Sequence, residues 1–459
     1  MIIFFTSAGP SLLLSKWGHV NFREMSLKVS RILHAGYVFE YEGIKIAFDP
    51  IFENPFSRNC HAFPSVKFDY EQIRELNFDA VFISHYHDDH CSLESLNYLD
   101  RKTSIYMYCL FEEMFSLMRK LGFENVFPLE LNRPVRIASI DIIPRRALDA
   151  EVDSLFQIKA GGLNILNVVD SWIDYTTLDL LVREGPWDMV LWPFQTMREI
   201  DVLSPLQAPE ASLQLPPEWI EQLVALKPRY VVPSSCQFIQ EEWSWYNHFM
   251  FPITYKQFQK EVEAALPKAE VVRMNPSVSV TLSKNSVRMS APLTWVQPVG
   301  EQDVDYEYKK DLVIPTTAEV ARHFAALTEE QTQRVLRYCN KDLIEKYKSM
   351  NRPLDDYFST PRLWSLSLYN HRGEAERFYY RLEDNQMELV TAPQEPVSWR
   401  TEVPIARLYG ALEWGESLTS MYMRIDPVDS SVDILEDPLV RCLFNGVFGA
   451  YQKAQLARL

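Results

Sequence analysis

The run His85-Tyr86-His87-Asp88-Asp89-His90 constrains this chain more than any other feature of its sequence. It follows directly on a short apolar segment, Ala80-Val81-Phe82-Ile83-Ser84, that reads as a buried strand. An extended backbone directs residues i and i+2 to one side, so His85 and His87 can grip one cation. A tight turn after them brings Asp89 and His90 around a second. A solvated polar loop is the competing reading. However, three imidazoles and a carboxylate beside a buried strand are costly unless a metal satisfies them.

The surroundings predict a layered α/β domain. Residues 28–50 read as two β-strands, with a turn at Glu42-Gly43 and a return through Ile44–Phe48 to Asp49-Pro50. Further strands are expected at Ser104–Cys109, Ile140–Pro144, Leu155–Lys159, Leu163–Val169, Met189–Leu191 and Tyr230–Val232, with helical stretches between them. A chain of 459 residues exceeds one compact core. The expected division is an N-terminal extension at 1–24, a metal-binding domain at 25–290, a linker at 291–315 and a smaller C-terminal α+β domain at 316–459. The stretch 296–315, VQPVGEQDVDYEYKKDLVIP, is polar and proline-flanked, as linkers are. Beyond it, Thr317–Tyr338 and Ile405–Met423 have helical spacing, while Trp364–Tyr369 and Arg377–Tyr380 read as strands.

The histidine run resembles the signature of the metallo-β-lactamase superfamily. The segments LHAGYVFEYEGIKIAFDP and GLNILNVVD look like its opening hairpin and the strand that delivers its bridging carboxylate. Across residues 28–280 the resemblance implies an αββα sandwich with two metals at the sheet ends, and it makes Asp170 the bridging ligand. The residues agree, because a carboxylate ending an apolar strand is poorly tolerated unless paired or metal-bound. Asp49 is expected to orient a ligand histidine rather than to touch metal.

Two departures from the family pattern stand out. The superfamily supplies a further histidine about twenty residues before the bridging aspartate, yet none lies between His90 and His248. Asp149 falls at that place, with Glu151 as the alternative and Asp153 as a residue that orients the loop. The late histidine, normally found after a strand ending in proline, is missing after Tyr230–Pro233. His248 is the nearest replacement, with Cys236 behind it. Trp172, just past Asp170, is expected in the substrate pocket. The pair Arg145-Arg146 is either a contact for an anionic substrate or a solvated strand end.

A first metal held by two imidazoles and two carboxylates favours iron over zinc or manganese. In this it resembles the di-iron β-hydroxylase of nonribosomal peptide assembly. The segments EVDSLFQIKAGGLNILNVVD, VVPSSCQF and VPIARLYGALEWGESLTSMYMRI are also similar to the CMP-N-acetylneuraminate hydroxylase family. The Cys-x-His and Cys-x-x-His pairs of that family's Rieske domain are absent, so its substrate and electron route are not carried over. The expected function is a di-iron oxygenase that takes a small organic substrate, dioxygen and an electron donor. The alternative is a hydrolase in which two metals acidify a water that attacks an ester, lactone, amide or phosphodiester.

Charge and cysteine usage narrow the partners. A formal charge of −16 leaves no basic surplus for a nucleic acid. Six scattered cysteines without a C-x-x-C pair fit a reducing cytoplasm. The apolar start MIIFFTSAGPSLLL is broken by Pro10 and is not expected to be a secretory signal. No run of 18 uncharged apolar residues suggests a membrane span.

Overall fold

The segment read as two strands folds as three. In the computed structural model, which describes residues 26–149, 151–309, 311–351, 356–391, 393–429, 431–445 and 447–459, the strands Ser26–Arg31, Tyr37–Tyr41 and Ile44–Phe48 pair antiparallel in succession. Buried Ser30 and Arg31 interrupt the apolar alternation of the first strand and conceal it in the sequence. The expected N-terminal extension, residues 1–24, lies outside the described residues. At the Glu42-Gly43 turn both residues take positive φ, 52° and 85°, which is the hairpin geometry whose twist suits the flanking strands.

Two sheets form the body of the first domain. One has eight strands: the three above, Ser279–Ser283 and Val287–Ser290 on one flank, and Ala80–Ile83, Ser104–Met107 and Val126–Pro128 on the other. The second has seven strands and is centred on Ser154–Ala160, Leu163–Asn167, Met189–Trp192 and Tyr230–Pro233. Strand periodicity divides the side chains between two cores. Phe39, Ile46, Phe48, Phe82, Phe156, Ile165 and Leu191 pack between the sheets. Their neighbours Ala47, Val81, Ile83, Leu166 and Val190 face outward and meet the helices. Helices Tyr70–Arg74 and Glu112–Lys120 cover one sheet, and Tyr175–Glu184, Pro217–Leu226 and Tyr255–Ala265 cover the other. The result is an αββα sandwich with an added C-terminal β and helical region.

That region holds a five-stranded sheet in the order Gln386–Leu389, Ala375–Glu383, Arg362–Tyr369, Trp399–Pro404, Arg424–Pro427. The single helix expected over Thr317–Tyr338 is interrupted. Helix Thr317–Ala321 begins at a capping box from Thr316 and Glu319, and Glu329–Arg337 begins at a second from Thr328 and Gln331. The second box starts a new helix inside what reads as one amphipathic stretch. The expected helix Ile405–Met423 stops at Trp414, where Gly415 takes a φ of +64°. A Cβ on Gly415 would sit 2.4 Å from the carbonyl carbon of Ala450, so the close approach also demands glycine.

The stretch read as a linker is partly structural. Val296–Pro298 pairs with Val66–Phe68. Tyr306 is buried among Phe63, Phe194, Phe251 and Tyr255, and its hydroxyl donates to the carbonyl of Phe238 at 2.9 Å. Alternating apolar residues hidden among charges account for this anchoring. Further on, the C-terminal helix Ala450–Leu456 packs onto Leu93–Leu96 and Glu112–Lys120 of the first domain. No helix among the described residues is long and apolar enough to cross a membrane.

Candidate metal centre

The strand directions bring one group of loops together. Tyr37 pairs with Phe48, and Ile44–Phe48 runs parallel to Ala80–Ile83. The 32–36 turn, Asp49 and the histidine run therefore emerge at the same sheet end. In the facing sheet, the hairpin register pairs Phe156 with Asn167. Continued three residues along each strand, that register sets Asp153 opposite Asp170. The backbone is strained where side chains must be aimed inward: His34, Asp49, Val169 and Cys236 all have positive φ, between 39° and 61°. Such conformations persist only where surrounding structure enforces them, and they concentrate at functional sites.

Two clusters result. In the first, His85 Nε2 and His87 Nδ1 lie 3.0 Å apart, with an Asp153 carboxylate oxygen 3.8 Å from His85 Nε2. In the second, His90 Nε2 lies 2.9 Å from Asp170 Oδ2 and 3.6 Å from Asp89 Oδ2, with His34 Nε2 3.1 Å from both His90 Nε2 and Asp89 Oδ2. The loop that carries the run turns at His87, whose carbonyl accepts from the amides of His90 and Cys91 at 3.1 and 2.8 Å. Outside the ligand atoms, Asp49 accepts at Oδ2 from His90 Nδ1 at 3.0 Å and from the Ser84 hydroxyl at 2.7 Å. Its other oxygen accepts from the Ser84 amide at 2.7 Å. His85 Nδ1 lies 2.9 Å from the Ser84 hydroxyl oxygen. Because that hydroxyl gives its one proton to Asp49, it accepts from His85. His85 thus carries its proton on Nδ1 and directs its Nε2 lone pair inward, while His90 gives its Nδ1 proton to Asp49 and turns Nε2 to Asp170 Oδ2, where a metal would take the place of the shared proton.

The electrostatics fit cations at these positions. Burial, then Asp170 beside it, pushes the Asp153 carboxyl up to about 6. Burial, with His90 and His87 next to it, holds His85 well below the ordinary histidine range, which favours a neutral ring with a free lone pair. Burial opposes ionisation of Asp170, but His90, whose Nε2 lies 2.9 Å from its Oδ2, outweighs it and holds the carboxyl well down. One buried oxygen of Asp153 and one of Asp170 have no hydrogen-bond partner. Unpaired oxygens beside inward lone pairs form a donor set suited to two divalent metals.

The structure sorts the residues singled out in the sequence. His85, His87, Asp89, His90 and Asp170 come together, with Asp49 behind His90. Asp149 does not join them. The 149–153 turn, closed by the Asp153 amide on the Asp149 carbonyl at 2.8 Å, leaves Asp149 exposed with its carboxylate on the Glu151 amide. Glu151 is exposed too, and Asp153 occupies the place by His85. His248 is also absent from both clusters, half-buried and stacked on Tyr308 with ring centroids 4.6 Å apart. In its stead stands His34, at the tip of the 32–36 turn. Of the basic pair, Arg145 is buried against Gln157 and Asn132, and Arg146 is exposed near Asp174.

The clusters open into a cavity of about 370 Å³. Trp172, Trp219 and Cys236 line it, as do Ser417, Leu418 and Thr419 from the C-terminal region. Burial, with Asp170 nearby, pushes the Cys236 thiol well up. The helix truncated at Trp414 thereby frees the 417–419 turn to reach the cavity. The ligand loop is gripped from the same region: Gln452 Nε2 donates to the carbonyls of Tyr86 and Cys91 at 2.9 and 2.7 Å.

Residues 28–235 match the model of the beta-lactamase superfamily domain. No curated protein matches the chain. Among solved structures, a metallo hydrolase from Ignicoccus hospitalis is 18% identical, covering 56% of this chain and 99% of that chain at a TM-score of 0.39. An isothiocyanate hydrolase from Delia radicum gut bacteria is 15% identical, covering 56% and 99% at 0.42. CmlA, a diiron β-hydroxylase from Streptomyces venezuelae, is 16% identical, covering 57% of this chain and 54% of that chain at 0.38.

Proposed function

We propose that the chain, whose residues 28–235 match the beta-lactamase superfamily domain, is a metal-dependent enzyme and a di-iron oxygenase acting on a small organic substrate. In this reading His85, His87 and Asp153 would hold one metal, Asp89 and His90 the other, and Asp170, which lies with the second group, would be available to both. The observation that carries the proposal is Asp153 beside His85 and His87, where a third imidazole would suit zinc better. A carboxylate there adds anionic charge and a hard oxygen donor. Both stabilise oxidised iron, and both make a metal-bound water less acidic. Two irons would supply the activation of dioxygen and need an electron donor.

The chain's own residues set the conditions for that chemistry. Asp49 and Ser84 keep the protons of His90 and His85 on Nδ1. Trp172 and Trp219 give the cavity an aromatic wall for an apolar substrate body, while Ser417 and Thr419 add polar groups on the C-terminal side. Six free cysteines, five of them buried, suit a reducing compartment such as the cytoplasm.

A hydrolytic reading has one observation in its favour. Glu199 lines the same cavity. Its side chain is exposed to the cavity, where desolvation by the surrounding protein, then the charges of Asp89, Asp170 and Asp88, pushes its carboxyl up. An acid holding its proton there could protonate a leaving group. The two readings separate on protein purified without added metal. The oxygenase reading expects iron by elemental analysis, with dioxygen consumed after reduction. It also expects Asp153→His to shift metal preference toward zinc and suppress dioxygen uptake. Zinc alone, with turnover of a hydrolysable substrate in the absence of dioxygen, would replace it by the hydrolase.

A further inference from the structure

We infer that His34, although its Nε2 lies among the donors of the second cluster, is not a metal ligand but a hydrogen-bond donor that positions Asp89. This inference rests on the two-metal reading for its setting and on hydrogen-bond geometry for its content. The backbone amide of Cys236 donates to His34 Nδ1 at 3.1 Å. A backbone N–H can only donate, so Nδ1 must present its lone pair. A neutral imidazole has one lone pair and one proton, and the proton is therefore on Nε2. A nitrogen carrying a proton has no lone pair for a metal. His85 and His90 are the reverse case, with Nδ1 donating to Ser84 and to Asp49 and Nε2 turned toward the other donors of the clusters, His87 and Asp170.

The partner of the His34 Nε2 proton is Asp89 Oδ2, at 3.1 Å. The donated bond fixes the Asp89 carboxylate beside His90, and His34 lines the cavity wall. A second metal would then have Asp89, His90 and Asp170 as its protein ligands, and a catalytic role would need a further position for water or substrate.

The arrangement is held by a buried cation. Arg31, with no exposed surface, donates through its guanidinium to the carbonyls of His34 and Ser234, and to those of Pro233 and Met274 at 2.9 and 3.2 Å. One side chain thus ties the His34 turn to the 234–236 turn. The Cys236 amide cannot withdraw from the ring without breaking that clamp. The positive φ of both His34 (48°) and Cys236 (60°) marks the strain that this juxtaposition imposes.

The test is nitrogen NMR of histidine side chains, in metal-free and zinc-loaded protein, with the His34 signals assigned by their loss in His34→Gln. The expected result is the Nε2–H tautomer in both states. An Nδ1–H tautomer, or an Nε2 signal that shifts to a metal-bound position on zinc loading, overturns the inference. Metal content supplies a second readout. His34→Gln should retain about two metals per chain, with second-metal affinity within about tenfold of wild type, the smaller end of outer-partner effects. A folded variant holding one metal per chain overturns the inference. Wild-type protein that never binds two metals defeats the dinuclear reading instead, while the tautomer in its spectrum still decides the role of His34.

Discussion

Replacing Asp49 by asparagine exchanges one oxygen for an amide nitrogen and reverses the direction of a buried hydrogen bond. Asparagine tolerates the φ of +39° at this position, so the backbone is not disturbed. The Ser84 amide, a donor only, keeps the side-chain oxygen on its side. The new NH2 group is then forced to face His90 Nδ1, where the carboxylate oxygen stood at 3.0 Å. Two donors cannot face each other, so His90 must give up its Nδ1 proton and carry one on Nε2, against the second metal. Loss of an outer partner to a ligand histidine weakens metal binding about 10- to 100-fold, or about 1.4 to 2.8 kcal/mol. The first metal, bound through His85 and His87, should weaken as well, because the Ser84 hydroxyl loses the Oδ2 acceptor that makes it accept from His85 Nδ1. Chelator competition on Asp49→Asn measures both affinities, and thermal unfolding of the metal-free variant checks that the fold persists. If the folded variant binds the second metal within about twofold of wild type, the tautomer argument for this centre is wrong, since the least loss it allows is about tenfold.

Other perturbations probe the parts the sequence left open. Asp153→Ala should deplete the first metal, whereas Asp149→Ala should leave metal content unchanged; the opposite pattern in elemental analysis would return the ligand role to Asp149. Gln452→Leu strands the buried carbonyls of Tyr86 and Cys91, at about 1 to 3 kcal/mol for each unpaired group. It should therefore lower both the urea midpoint and metal affinity, and an unchanged pair of values would show that the C-terminal helix does not support the ligand loop. Limited proteolysis should cut within 307–316 rather than across 296–306, because Val296–Pro298 and Tyr306 are anchored. The fragments should stay associated by gel filtration, since buried side chains of both regions form one continuous core; fragments that separate would refute that packing.

The sequence by itself determined the local chemistry. Strand periodicity placed His85 and His87 on one side of an extended segment, and an apolar strand ending in Asp170 marked a carboxylate that needed a partner. Those signals are legible because each candidate ligand and its strand are neighbours in the chain. Asp153 is legible in the same way: the Gly161-Gly162 turn sets a hairpin register in which residue 153 meets residue 170, whereas a count of about twenty residues back from Asp170 lands on Asp149. His34 could not be read this way. Its claim to the site depends on three segments converging: the 32–36 turn, the ligand loop and the 234–236 turn, with Arg31 tying the first to the last across some 200 residues. The contributions of 417–419 and Gln452 are of the same kind. Hydrogen-bond direction and charge balance at a metal centre are set by what meets in space, and only the tertiary structure decides which distant donor faces which acceptor.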